Sequence, residues 1–168
     1  MTPIQAKTVA DFLVSTFESE IPLTLNVFKA VPVDRLDYAP DAMSKTALGL
    51  VRHIALEDEW LLTGAADGHF VSWVDQTDAC GLMSPADAVA VYEQRMPAAL
   101  ARVKGLSDAD LLREVDMMGA MKLPAVMFLS VALRHSCHHR GQLTSYLRAM
   151  GGKVPSIYGP SADVAAQA

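Results

Sequence analysis

Five histidines occur in 168 residues, and three of them fall together in HSCHHRGQL at 135–143. His135 and His139 are four residues apart, so on a helix they share one face. At about 100° per residue, Phe128, Val131 and Ala132 precede them on that stripe, and Gln142 and Tyr146 follow. An apolar stripe that turns polar needs partners for its ring nitrogens. A divalent ion would satisfy two imidazoles at once; backbone groups and water would satisfy them without one. His53, in LGLVRHIALEDEW, shares a stripe with Gly49, Leu50, Leu56 and Trp60, the core-facing side of its own helix. Three inward histidines from two helices predict an open three-His site, with water or substrate in the remaining positions.

Glu57 lies one turn beyond His53 on the same face. It suits a fourth ligand, an orienting carboxylate or a general base, and equally a solvated helix charge. His138 is rotated about 60° from His135, which suits a catalytic or rim position better than ligation. Cys137, about 200° from His135, is expected to be a small buried apolar residue. His69, Trp73 and Cys80 fall in a long connection over 64–83, where they could line a pocket mouth or simply pack. No glutamate follows Glu114, which excludes the Glu-x-x-His pairs of a ferritin-like di-iron centre. Phosphate-binding glycine loops, a G-x-S-x-G elbow and a C-x-x-C pair are all absent.

Four stretches of helical periodicity must position these residues. The first covers about 4–30, with Val9, Phe12, Leu13, Phe17, Ile21, Leu25 and Phe28 inward and Pro22 expected to kink or split it. The second covers about 45–62, capped by Ser44 and ended by Gly64. The third runs from a Ser84 cap to about 103, with Pro97 as a second kink, and the last covers about 125–150 between Pro124 and Gly151. The segment between them, 105–123, reads as a short turn capped by Ser107 followed by extended or irregular chain. The tail from about 152 to 168 reads as packed or irregular. Four main helices joined by long crossovers predict an all-α four-helix bundle forming one domain over 1–168.

Composition agrees with a packed globule: 51% hydrophobic and 20% charged residues. With 19 acidic against 14 basic residues and a net charge of −5, the chain lacks the basic surface that binds nucleic acid. Its longest apolar run, 123–133, is too short to span a bilayer, and MTPIQAKTVADF lacks the features of a signal peptide. Two cysteines cannot build a disulfide framework. A cytoplasmic protein with neither membrane nor nucleic-acid partners is expected.

The block HSCHHRGQLTSYLRAMGGKVPSIYGPSAD closely resembles the last-helix signature of the DinB family, within the DinB/YfiT-like metalloenzyme superfamily. VPVDRLDYAPDAMSKTALGLVRHIALEDEWLLTG is similar to that family's loop and second helix. The resemblance implies an up-up-down-down bundle, usually a homodimer, with one divalent metal, nickel or zinc, on His53, His135 and His139. It also implies chemistry on a small-molecule substrate. Relatives in the superfamily include transferases that use low-molecular-weight thiols and metal-dependent hydrolases. A thiol-dependent S-transferase is the first expectation, with a hydrolase or a non-catalytic metal-binding stress-response protein as alternatives. Arg140 matches the signature off the histidine face and is expected to be structural.

Overall fold

The computed structural model describes residues 1–72 and 78–165. Helix α1 (Pro3–Lys29) is opened by Thr2, whose hydroxyl accepts from the Gln5 N–H at 3.3 Å while the Gln5 side chain accepts from Thr2 N–H at 2.8 Å. Pro22 lies inside this helix without ending it. Phe17, Leu25 and Phe28 are buried as the periodicity predicts, but Phe12 is 69% exposed, on the side of α1 turned from the core.

Helix α2 (Ala47–Asp67) starts two residues later than Ser44 predicts, because Thr46 is the cap and accepts from Gly49 N–H at 3.0 Å. The Ser44 hydroxyl is occupied by Asp41 at 2.8 Å. Nor does Gly64 end the helix: the chain turns at Gly68, with φ of 75°. A Cβ on Gly64 would stand 2.3 Å from the Phe70 ring, so this glycine serves close packing within the helix. A single 3-10 turn, Asp78–Cys80, precedes α3 (Pro85–Lys104). Helix α3 is capped by Ser84 and runs through Pro97.

A short α4 (Asp108–Leu112) leads into an antiparallel hairpin, β1 (Glu114–Asp116) with β2 (Lys122–Pro124), in which Val115 opposes Leu123. This hairpin departs from an all-α expectation. Alternation in Glu114-Val115-Asp116 buries Val115 alone, and Met118 and Gly119 supply the positive φ values of the turn. Helix α5 (Ala125–Ala149) follows, and one turn, α6 (Ala162–Ala165), lies in an otherwise irregular tail.

The structure is mostly helical. Each of α1 and α2 packs against both α3 and α5. Helix α2 is apolar nearly all round, with Leu50, Val51, Ile54, Ala55, Leu61 and Leu62 buried. Arg52, His53 and Asp58 are buried on the same helix, so each must find a polar partner in the interior. Among the described residues, no helix is long and apolar enough to cross a membrane. The tail is fastened by Arg140 of α5, which is buried and pairs with Glu20 of α1, also donating to Thr24 at 3.1 Å and contacting the Tyr158 hydroxyl. This is the structural position expected of Arg140.

Candidate metal centre

Helices α2 and α5 pack side by side, and their facing stripes bring His53, His135 and His139 together. The His53 Nε2 atom is 3.0 Å from His139 Nε2 and 3.1 Å from His135 Nε2. All three rings meet edge to face, with centroids 4.3 to 4.8 Å apart. Among the described residues this is the one cluster of three potential ligands close enough to share an ion.

The other nitrogen of each ring explains the convergence. His135 Nδ1 is 3.1 Å from Asp58 Oδ1, His139 Nδ1 is 2.6 Å from Gln142 Oε1, and His53 Nδ1 is 2.9 Å from Glu57 Oε2. An acceptor at Nδ1 holds the ring proton there and leaves Nε2 as a lone pair. The Nε2 atoms of His135 and His139 then both face His53 Nε2, an arrangement that a shared cation satisfies, a proton in the metal-free centre or a divalent ion in its place.

The donor set fits a divalent first-row ion. Two imidazole nitrogens in adjacent octahedral positions, ~2.1 Å from such an ion, stand ~3.0 Å apart, against ~3.4 Å for a tetrahedron. The observed spacings lie near the first value. Glu57 supplies a further donor: its buried Oε2 stands 2.9 Å from His53 Nδ1 and 2.8 Å from His135 Nε2. A buried carboxylate is costly unless positive charge stands beside it, here the His135 proton or an ion in its place.

Electrostatics sort these groups. Burial pushes the Glu57 carboxyl up, but the neighbouring His135 and His53 outweigh it and hold it at about 2. Burial lowers His135, yet Asp58 and Glu57 on either side raise it to about 9. His139 is lowered to about 4 by burial, with the other histidines adding to the effect against Gln142. In the metal-free centre His135 therefore carries a proton at neutral pH, whereas His139 is neutral.

His138 is exposed, its ring edge-on to His139 with centroids 4.8 Å apart, so it sits at the rim and outside the cluster. Cys137 departs from expectation. It is half-buried in a polar setting, its Sγ 3.4 Å from the Tyr158 hydroxyl and 3.7 Å from the Arg140 guanidinium. His69 is exposed beside the Asp67 carbonyl, Cys80 is half-buried on the 3-10 turn, and Trp73 lies outside the described residues.

Sequence reasoning missed Asp58 and Tyr92, both completely buried. The Tyr92 hydroxyl of α3 donates to Asp58 Oδ2 at 2.8 Å, so three helices meet behind His135. The available signal was a second carboxylate in LEDEW on a helix otherwise apolar on that side.

Comparison with known proteins places these features in context. The model of the DinB family matches residues 7–167. The Bacillus subtilis protein YjoA is 25% identical over 141 residues, covering 83% of this chain and 89% of that protein. YrdA of the same organism is 35% identical over 57 residues, 34% of each chain. Among solved structures, the DinB-like YjoA superposes with a TM-score of 0.65 at 24% identity, over 89% of this chain and 95% of that one. A DinB-like protein from Bacillus cereus ATCC 10987 gives 0.72 at 22% identity, over 87% and 95%. At these identities the two structures speak for the fold.

Proposed function

This chain belongs to the DinB family, and we propose that it is a metal-dependent enzyme in which His53, His135 and His139 hold one divalent ion, nickel or zinc, for thiol-dependent S-transfer. The observation that carries the reading is that His53 Nε2 lies 3.0 Å from His139 Nε2 and 3.1 Å from His135 Nε2 while each Nδ1 faces an acceptor. A divalent ion bound there would hold a small thiol as its thiolate at neutral pH, beside an electrophile.

The chain's own residues divide the remaining work. Asp58 and Gln142 fix the ring orientation of His135 and His139. Glu57 adds negative charge and a fourth donor at the centre. In the metal-free centre Glu57 is held at about 2, which makes it a weak proton acceptor at neutral pH. Neither reaction depends on Glu57 as a base, since a bound ion would itself lower the pKa of water as well as of a thiol. The affinity of a borderline-soft ion on imidazoles for a thiolate at its open position supports transfer over hydrolysis, with His138 at the rim available to move a proton.

We read the four long helices as an up-up-down-down bundle, because α1 and α2 each pack against α3 and α5, as that topology requires. The working unit is a cytoplasmic homodimer acting on a small molecule, without nucleic-acid or membrane partners. The test is turnover of an electrophile panel by nickel- or zinc-loaded protein, with and without small thiols. Transfer only with thiol is the expected result. Turnover without thiol would favour the hydrolase, and no turnover by fully loaded protein would leave a non-catalytic metal binder.

A further inference from the structure

Beside His139, the loop before α2 and helix α5 line an open cavity of about 250 Å³. His139 and Gln142 line it from α5, and Met43 and Lys45 from the loop. Lys45 is the one lysine or arginine in its lining, and no carboxylate contributes to the wall. Among the described residues Lys45 has no ion-pair partner. The nearby acid in sequence, Asp41, is engaged elsewhere, accepting from the Met43 and Ser44 N–H groups at 2.8 and 3.0 Å and from the Ser44 hydroxyl at 2.8 Å.

The wall carrying Lys45 is held in place. The Tyr146 hydroxyl donates to the Lys45 carbonyl at 3.3 Å, and the Tyr146 ring meets Tyr38 edge to face at 5.5 Å. Ala47 N–H closes the loop onto the Tyr38 carbonyl at 2.8 Å. Lys45 is thus an exposed cation on an anchored backbone, across a small cavity from a residue of the histidine centre. Met43, 95% exposed at the rim, offers apolar surface to whatever enters.

We propose that this cavity admits a small bifunctional anion, one end reaching the three-histidine centre and a carboxylate at the other end paired with Lys45. The inference rests on the metal reading above and extends it to the class of ligand: a short chain bearing one metal-binding group and one carboxylate. A neutral analogue of the same length lacks the second anchor and binds more weakly. An ion pair at a partly exposed site distinguishes the two by about fivefold.

The test uses the full chain loaded with cobalt(II), whose absorption spectrum changes when a thiolate joins it. 3-Mercaptopropionate is titrated against 2-mercaptoethanol at low salt. The parent is expected to bind the carboxylate about fivefold more tightly. Lys45→Gln should abolish that preference without changing cobalt stoichiometry or 2-mercaptoethanol affinity, Lys45→Arg should keep it, and Lys45→Glu should reverse it. Equal affinities in the parent, a preference that survives Lys45→Gln, or full cobalt occupancy with no response to either thiol would each overturn the pocket assignment alone. Failure to bind cobalt at all would overturn the metal reading and this inference with it.

Discussion

Asp58 Oδ1 lies 3.1 Å from His135 Nδ1, and its other carboxylate oxygen accepts the Tyr92 hydroxyl at 2.8 Å. A fully buried carboxylate thereby has both oxygens occupied, one by a histidine on α5 and one by a tyrosine on α3. The pair fixes which nitrogen of His135 faces the centre. Carboxylate partners of this kind commonly govern the affinity of the histidine for its ion.

Asp58→Asn is therefore expected to weaken zinc or nickel binding by about 10- to 100-fold. Tyr92→Phe removes the donor and leaves a buried carboxylate oxygen unpaired, at a stability cost of about 1–3 kcal/mol. Competition with a chromophoric chelator measures the first and urea denaturation the second. Unchanged metal affinity in Asp58→Asn would show that the carboxylate does not orient His135.

Metal binding should release protons. Below about pH 9 the metal-free centre keeps a proton on His135, and an ion must displace it to reach the nitrogen. Apparent affinity then rises with pH, by about tenfold per unit, until His135 is deprotonated. His139, lowered to about 4, contributes no proton near neutrality. Calorimetry at pH 7.5 in buffers of different ionisation enthalpy should find about one proton released per ion from His135. Release of none would contradict the assignment of the proton to His135.

His138 and His139 are neighbours in the chain with different positions. His139→Ala removes a donor and is expected to lower metal affinity at least 100-fold, whereas His138→Ala should leave occupancy within about twofold and reduce turnover more. Occupancy by elemental mass spectrometry alongside the thiol-transfer assay separates them. Equal metal loss in both variants would place His138 among the ligands.

Arg140 and Glu20 form a buried pair between α5 and α1. Removing one partner strands a charge, so Arg140→Met should destabilise the fold by about 3–5 kcal/mol, more than the double variant Arg140→Met with Glu20→Leu. Denaturant midpoints of the single and double variants test this. A single variant as stable as the parent would mean that the pair holds the tail without stabilising the fold.

The candidate ligands were legible because histidine is scarce in this chain and its spacing matches one helical turn; the helical-wheel argument needed only that both stripes face inward. Asp58 and Tyr92 were not, since a carboxylate among charges in LEDEW looks solvated and a tyrosine on an apolar stripe looks like core. Only the packing of α3 on α2 joins them. Helix positions were readable, but two ends were not. Ser44 and Thr46 are equally good caps until the Asp41 turn occupies one hydroxyl, and Gly64 looks like a stop until Phe70 packs over it. Phe12 obeys the periodicity of α1 and still faces outward, and the 114–124 hairpin is too short to show a pattern against its helical surroundings.

The central claim is that His53 on α2 completes a metal centre with two histidines of α5. The measurement that tests it most directly is metal content of untagged protein, purified without added metal and then titrated with nickel and zinc, for the parent and His53→Ala. About one equivalent per chain in the parent, lost in a variant that keeps its helical circular dichroism, is the expected result. A His53→Ala variant that binds as tightly as the parent, or a parent that takes up neither ion, would contradict it.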